Sequence, residues 1–396
     1  MVRQQRKIGE FGRVKLGKPE IVTEHNRTYD VKPKLDKRVE ENIKHGKAKR
    51  LKYPADPDFK YYFGTSSQKT FEVIDSYNDE DNQLGVCVNI YNYNKSLLNK
   101  VNKLEKLETP IFVDNGSFER FTAFLNYVKN TKRGHKIPPE EYFSYEKSDE
   151  YFQQTTENYK DLMKQSEIPE NLIITIPEVI GNSELTQKLQ KKYLNDYKKL
   201  EKDHKCKLIV SLQFNPNSEE WDKELEQGAK FISRNFPKEW IIGIPFGNDF
   251  TIIQNQKNFK KVEKIFDTHL KGREAHLFAC GSPTKLENFA IPNDDFIYSV
   301  DASSVMNWSK FSHYFYNRQG RVMDIRDLQG TRKNISEEDV KAKREEFEEM
   351  SGISWKDWVA KKQEDPENYM PYIEKFDINT ENITEYYNLG EKQEEE

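Results

Sequence analysis

Two aspartates stand where a reacting group would be conspicuous. Asp114 closes the apolar run Ile111-Phe112-Val113, and the pattern then breaks at Asn115-Gly116-Ser117 before an amphipathic stretch begins; Asp301 closes Phe296-Ile297-Tyr298-Ser299-Val300 in the same way. An apolar run of four to six residues ending in a carboxylate reads as a buried strand that delivers that carboxylate to a strand end. Two carboxylates delivered so, in different surroundings, suit chemistry in which one stays ionised and attacks while the other shuttles a proton. Taken singly, each is also what an ordinary aspartate in a strand-to-helix turn looks like, because Asp caps helices and Asn-Gly forms turns. Glu178 after Leu172–Pro177 and Gln213 after Leu208–Leu212 repeat the placement with a second carboxylate and an amide.

These residues need a frame that gathers strand ends. Strands are expected at Tyr61–Thr65, Leu84–Ile90, Ile111–Asp114, Leu172–Glu178, Leu208–Gln213, Trp240–Phe246, Ala275–Gly281 and Phe296–Asp301. Helical periodicity separates most of them, clearest at Leu97–Leu107, Glu184–Leu200, Glu219–Arg234, Asn258–Leu270 and Val305–Phe315. Eight strands of parallel type with crossover helices predict an α/β fold, a (β/α)8 barrel of the TIM type. In such a barrel Asp114, Glu178, Gln213, Gly243 and Gly247, the stretch Phe278–Ser282 and Asp301 all fall toward the C-terminal rim, where barrel enzymes keep their chemistry.

Length and charge set the remainder. The chain has 396 residues, enough for one large barrel with additions at its ends. Its 24 Phe, 21 Tyr and 5 Trp supply bulk for a core although only 35% of residues are hydrophobic and 33% are charged. The division expected is a basic N-terminal arm over 1–52, a barrel over 53–330 with a helical insertion at 130–170 acting as a flap near the active face, and a charged helical extension over 331–396 ending in a disordered acidic tail. The net charge of −4 divides into +9 on residues 1–52 and −13 on the rest, a basic arm on an acidic body that suits a polyanionic partner, and equally a solvated leader. No apolar run is long enough for a membrane span and the start MVRQQRKIGEFGR lacks the apolar stretch of a secretory signal, so no membrane partner and a cytoplasmic location, or host cytoplasm for a viral protein, are expected. The three cysteines, Cys87, Cys206 and Cys280, are odd in number and far apart, which disfavours a disulfide scaffold or a local metal knuckle; neither metal nor cofactor is expected.

In short blocks from Tyr61 to Trp308 the chain resembles the guanine transglycosylases, of which the queuine and archaeosine transfer-RNA enzymes are members. YFGTSSQKTF is similar to the family's first barrel segment, VNIYNY to its NTYHL block, VDNGSFERF to DSGGFQ, IGIPFGN to GLAVGE and HLFACGSP to HLMGVGTP, and SVDASS stands where the family has its second aspartate. The resemblance implies a barrel enzyme that detaches guanine from nucleic acid and installs a 7-deazaguanine such as preQ0. It implies Asp301 as the nucleophile that attacks the ribose C1′ and Asp114 as the general acid/base. It also implies Glu178 and Gln213 as readers of the base, the Gly243 amide as the group facing its exocyclic oxygen, and Phe118 and Phe278 as the side chains that sandwich the ring. The last two are equally at home in a core.

The departures are as informative. The transfer-RNA enzymes carry a CxCxxC plus His zinc subdomain after the barrel, whereas no cysteine follows Cys280 here, and the basic run expected after the nucleophile is replaced by ASSVMNWSKF. The resemblance therefore leans to the DNA-modifying 7-deazaguanine branch, with DNA as polymer partner and transfer RNA as the alternative, guanine and a 7-deazaguanine as small ligands, and a homodimer compatible with the reading. Outside that family stand a barrel glycosidase, which also pairs carboxylates, and a non-catalytic nucleic-acid-binding paralogue.

Overall fold

In the computed structural model the description covers residues 21–24, 27–30, 58–65, 67–78, 83–91, 93–106, 109–124, 126–127, 136–137, 140–311, 314–316, 322–324, 328–329, 336–364, 372–387 and 389. Eight parallel strands close into a barrel: β1 Lys60–Gly64, β2 Leu84–Asn89, β3 Ile111–Asp114, β4 Leu172–Thr175, β5 Lys207–Ser211, β6 Ile241–Pro245, β7 Ala275–Phe278 and β8 Ile297–Ala302. Each strand pairs with its neighbours in sequence, and β8 returns to β1 with Asp301 opposite Tyr62. The fold is the (β/α)8 barrel expected from the strand pattern.

Alternation along the strands builds two cores. Tyr61, Phe63, Val86, Val88, Ile111, Val113, Leu208, Val210, Ile242 and Ile244 face outward into one continuous cluster with the helices. Tyr62, Phe112, Ile173, Ile209 and Ile241 point into the barrel and fill it, with Cys87, Phe278 and Tyr298 packed against them. Both faces are apolar, so the strands read as short unbroken hydrophobic runs. The interior is packed side chains rather than a channel.

The helices that follow the strands are α1 Gln68–Asp75, α2 Lys95–Glu105, α3 Ser117–Ala123 and α4 Tyr145–Gln165 together after β3, α5 Ser183–His204, α6 Trp221–Asn235, α7 Gln256–His269 and α8 Ser304–Phe311. Side-chain caps start several of them: Asn94 accepts from Ser96 N and Leu97 N, Ser144 from Lys147 N, Asn182 from Leu185 N, and Asn255 from Asn258 N. Between β7 and β8 the chain makes only short helical turns, Pro283–Lys285, Leu286–Ala290 and Ile291–Asn293. Among the described residues three further helices follow, α9 Glu337–Ser351, α10 Trp355–Glu364 and α11 Tyr372–Tyr387. Among the described residues no helix is long and apolar enough to cross a membrane.

Two expectations change. The helix of the 130–170 segment is not a flap: α4 lies along the barrel as the crossover between β3 and β4, with Tyr151, Phe152, Tyr159, Leu162 and Met163 buried. Its aromatics are the apolar stripe of a helix, and Tyr159 Oη donates to Val113 O at 3.1 Å and to Thr175 O at 3.0 Å, bridging the ends of both strands. Residues 128–135 and 138–139 of that segment lie outside the described residues. At the other end, α11 is no solvated appendage. It packs against α1 and α8, burying Phe376, Ile383 and Tyr387 in the main core; Phe376 meets Phe63 edge-on at 5.7 Å and Tyr77 Oη donates to Asp377 Oδ1 at 2.8 Å. The helices α9 and α10 form a separate small cluster around Leu328, Phe347, Trp355 and Trp358. Most of the basic arm and the EKQEEE tail lie outside the described residues; within the arm, Ile21–Glu24 and Arg27–Asp30 pair as an antiparallel hairpin.

Candidate active site

Asp114 is the last residue of β3 and Asp301 the last but one of β8, and Asp301 shares the inward face of its strand partner Tyr62 at the C-terminal end of the barrel. The Asp114 carboxylate accepts from Asn89 Nδ2 and from the Gly116 amide, each at 3.1 Å. The second bond is the Asx turn that a strand-to-helix aspartate makes, so the ordinary role and the placement at the rim coexist in one residue. Gly116 is held at φ 80° against Tyr91 and Asn89, where a side chain would collide with the Tyr91 Cβ at 2.3 Å. Burial holds the Asp114 carboxyl well above the usual carboxylate range, and the negative charges of Glu119, Glu178 and Asp301 push it further, against the Gly116 amide. Both influences favour the protonated form, the form that can donate.

Asp301 has different surroundings. Its Oδ1 accepts from His276 Nε2 at 3.1 Å and from the Ala279 amide at 3.0 Å, and its side chain keeps 18% of its surface. Lys285 stands close by, its Nζ donating to Phe246 O at 2.8 Å and Ala279 O at 3.1 Å. Burial lowers the Lys285 ammonium from its ordinary value, opposed by Cys280 and Asp301. Two N–H donors thus converge on one oxygen of Asp301, with an ammonium nearby. The two aspartates thus have the unequal environments that an acid and a nucleophile require. Between them on β2 lies Cys87, its thiol pushed well up by burial and then by the charges of Asp301, Asp114 and Glu119.

Glu178 and Gln213 lie beyond their strands rather than on them. β4 ends at Thr175 and β5 at Ser211, although Ile176 N still reaches Ile209 O at 2.9 Å and Leu212 N reaches Gly243 O at 2.8 Å. Pro177 has no N–H to continue the ladder. Glu178 is 6% exposed, its Oε2 accepts from Asn115 Nδ2 at 2.9 Å, and burial pushes its carboxyl up to about 7. Ser211, Ser117 and Asn115 oppose that shift. Of these, Asn115 makes the bond to the carboxyl itself; the Ser117 hydroxyl donates to Glu178 O at 3.1 Å, and the Ser211 hydroxyl stands near without a hydrogen bond of proper geometry. Gln213, also buried, accepts from Gly181 N at 3.2 Å. Tyr151 of α4 braces this corner, donating from Oη to Asn115 O at 3.0 Å.

The two phenylalanines occupy opposite circumstances. Phe118, in the first turn of α3 four residues after Asp114, leaves 51% of its surface in solvent and is the one large hydrophobic residue so exposed among the described residues. Phe278 ends β7 half-buried, 4.9 Å from the His276 ring and 6.3 Å from Phe112. Gly243 serves that ring: a Cβ there would lie 2.4 Å from Phe278 Cε2, so the missing side chain makes room for it. Gly243 is mid-strand, registered with Ser211 on one side and His276 on the other. The missing side chain thus has a packing role, which stands beside the expectation for the Gly243 amide.

Four residues of the site take no role from the sequence, although Asn89, Asn115 and His276 lie within the blocks VNIYNY, VDNGSFERF and HLFACGSP. His276, Asn89, Asn115 and Lys285 enter through contacts between strands or across a turn, and a lone His inside an apolar strand reads as core until Asp301 is placed beside it. No protein-family model and no curated protein matches the chain.

Proposed function

We propose that the protein is a guanine transglycosylase that exchanges guanine in nucleic acid, DNA in preference to transfer RNA, for a 7-deazaguanine such as preQ0. The observation that carries the reading is the pair of rim aspartates in unequal surroundings, Asp114 poised to hold a proton and Asp301 bound by two N–H donors. In the first half-reaction an Asp301 carboxylate oxygen bonds to C1′ as the C1′–N9 bond breaks, and the departing purine takes the Asp114 proton. In the second, Asp114 accepts the N9 proton of the incoming base, that nitrogen bonds to C1′ and the Asp301–C1′ bond breaks. Buried Glu178 and Gln213 offer a carboxyl and an amide to the edge of a planar base, and exposed Phe118 offers a face to stack on.

DNA is favoured because the chain has neither a cysteine after Cys280 to build the transfer-RNA enzymes' zinc subdomain nor their basic run after Asp301. The 140–165 aromatics do not add to this choice, since they are turned into the fold or packed against it. Radiolabelled guanine, and then labelled preQ0, incubated separately with DNA and transfer RNA tests the reading, with Asp301→Asn as background. Label in DNA that is absent with Asp301→Asn is expected. Label confined to transfer RNA overturns the choice of polymer, and label in neither overturns the exchange reaction.

A further inference from the structure

We infer that His276 and Ser299 form a relay beneath Asp301 that fixes which of its two oxygens attacks; the inference deepens the proposed base exchange and rests on it for the identity of the reaction. The two carboxylate oxygens are unlike. Oδ1 takes both hydrogen bonds, from His276 Nε2 and the Ala279 amide, while Oδ2 accepts none among the described residues. A carboxylate oxygen offers no proton, so Nε2 is the donor and the imidazole is the tautomer that carries hydrogen there. Its other nitrogen, Nδ1, lies 2.8 Å from Ser299 Oγ, and in that tautomer it accepts the hydroxyl proton. Ser299 and Asp301 are two apart on β8 and face the same side, and His276 is registered opposite Ser299 on β7, so one residue steadies the ring and the next but one accepts its hydrogen bond.

The ring has no freedom to leave. His276 is fully buried, with Phe112, Phe278 and Tyr62 at 4.7, 4.9 and 6.3 Å between ring centroids. The second donor is held at a conformational cost. Ala279 has φ 56°, a left-handed conformation that a residue with a Cβ rarely adopts, and this is the conformation in which its amide points at Oδ1. Two independent constraints converge on one oxygen. Consequently Oδ2 is the oxygen that bonds to C1′ as the C1′–N9 bond breaks, and when the Oδ2–C1′ bond later breaks its electron pair returns to a carboxylate whose charge the two donors already stabilise. His276 touches neither base nor sugar in this scheme. It is a positioning residue, and its removal should slow both half-reactions without weakening base binding.

The test uses the full chain and three variants, His276→Leu, His276→Gln and Ser299→Ala. The glutamine amide nitrogen can stand near the place of Nε2 and donate to Oδ1, whereas leucine cannot. With His276→Leu, kcat for guanine exchange should fall on the order of 10–100-fold, the scale of a missing donor or a misplaced reacting group, with the guanine Kd held within about twofold. His276→Gln should recover most of that loss, and Ser299→Ala should cost a few-fold. A His276→Leu protein at the wild-type rate, or a folded His276→Gln protein as slow as His276→Leu, overturns the role. Nitrogen-15 NMR of the imidazole decides the arrangement independently of turnover. A proton on Nε2 in the wild-type protein, with that tautomer loosened in Ser299→Ala, supports the relay even if no polymer accepts a base, and a proton on Nδ1 alone overturns it.

Discussion

Glu178 carries the clearest pH signature among the single residues. Its carboxyl has an ordinary value of 4.5 and is pushed up to about 7 by burial, so the folded protein binds a proton there that the unfolded chain has already released. Stability from this group is fully present below 4.5 and is lost as pH rises through about 7, a contribution on the order of 3 kcal/mol across the window. Glu178→Gln keeps the shape and removes the charge, so it should be little changed at about pH 5 and more stable than wild type at about pH 8 in denaturant unfolding. An equal stability difference at both values would show that Glu178 does not take up a proton on folding. Phe118 gives the opposite test. Being half in solvent, it should lose no more than about 0.5 kcal/mol of stability as Phe118→Ala, yet the guanine Kd should rise severalfold if the ring stacks on the base. An unchanged Kd would remove Phe118 from the pocket. The sequence marks Asp114, Asp301 and Phe118 because each stands directly after an apolar run or its turn, where local pattern says what is presented. It does not single out the bond of His276 to Asp301 or the room that Gly243 leaves for the Phe278 ring, because both are set by residues on neighbouring strands.

At the scale of elements the same contrast recurs. The barrel strands are legible because both of their faces are apolar; each starts within one residue of the run that announces it, and Leu172–Thr175 and Ala275–Phe278 stop three residues short of theirs. The helices α4 and α11 are misread because a stripe of aromatics looks alike on a crossover helix and on a surface flap, and because a strongly charged C-terminal region conceals one helix whose other face is buried. Tyr159 shows what α4 does. Its hydroxyl ties the carbonyls at the ends of β3 and β4, so Tyr159→Phe should destabilise by about 1–2 kcal/mol and, by loosening the strand that carries Asp114, lower exchange more than binding. For α11, Phe376 is fully buried against Phe63 of β1, and Phe376→Ala should cost about 3–5 kcal/mol. A loss below about 0.5 kcal/mol in thermal or denaturant unfolding would mean that α11 is dispensable to the barrel after all.

Across the whole molecule, charge is divided between a basic arm and an acidic remainder, in which residues 53–330 hold −4 and residues 331–396 hold −9. Residues 1–52 hold +9 and the remaining residues −13, and four carboxyl groups, Asp114, Glu119, Glu178 and Asp301, stand close together in the mouth. A phosphate backbone approaching such a body needs a cationic partner elsewhere, and the N-terminal arm is where the sequence concentrates it. Lysine and arginine there, interspersed with polar residues, suit phosphates rather than base edges, so the arm should supply affinity and leave the choice of base to the pocket. Replacing Lys44, Lys47, Lys49, Arg50 and Lys52 with glutamine in the full chain separates the two. Each phosphate that is no longer neutralised should flatten the dependence of log K on log salt by about 0.9 for duplex DNA, so removing all five cations would change the slope by roughly 4.5 if each pairs with one phosphate. Affinity at low salt should fall steeply while the same guanines are exchanged, at a rate that recovers when the polymer is saturating. An unchanged slope would show that these residues do not touch phosphate, and a change in which guanines are modified would move base readout from the barrel mouth to the arm.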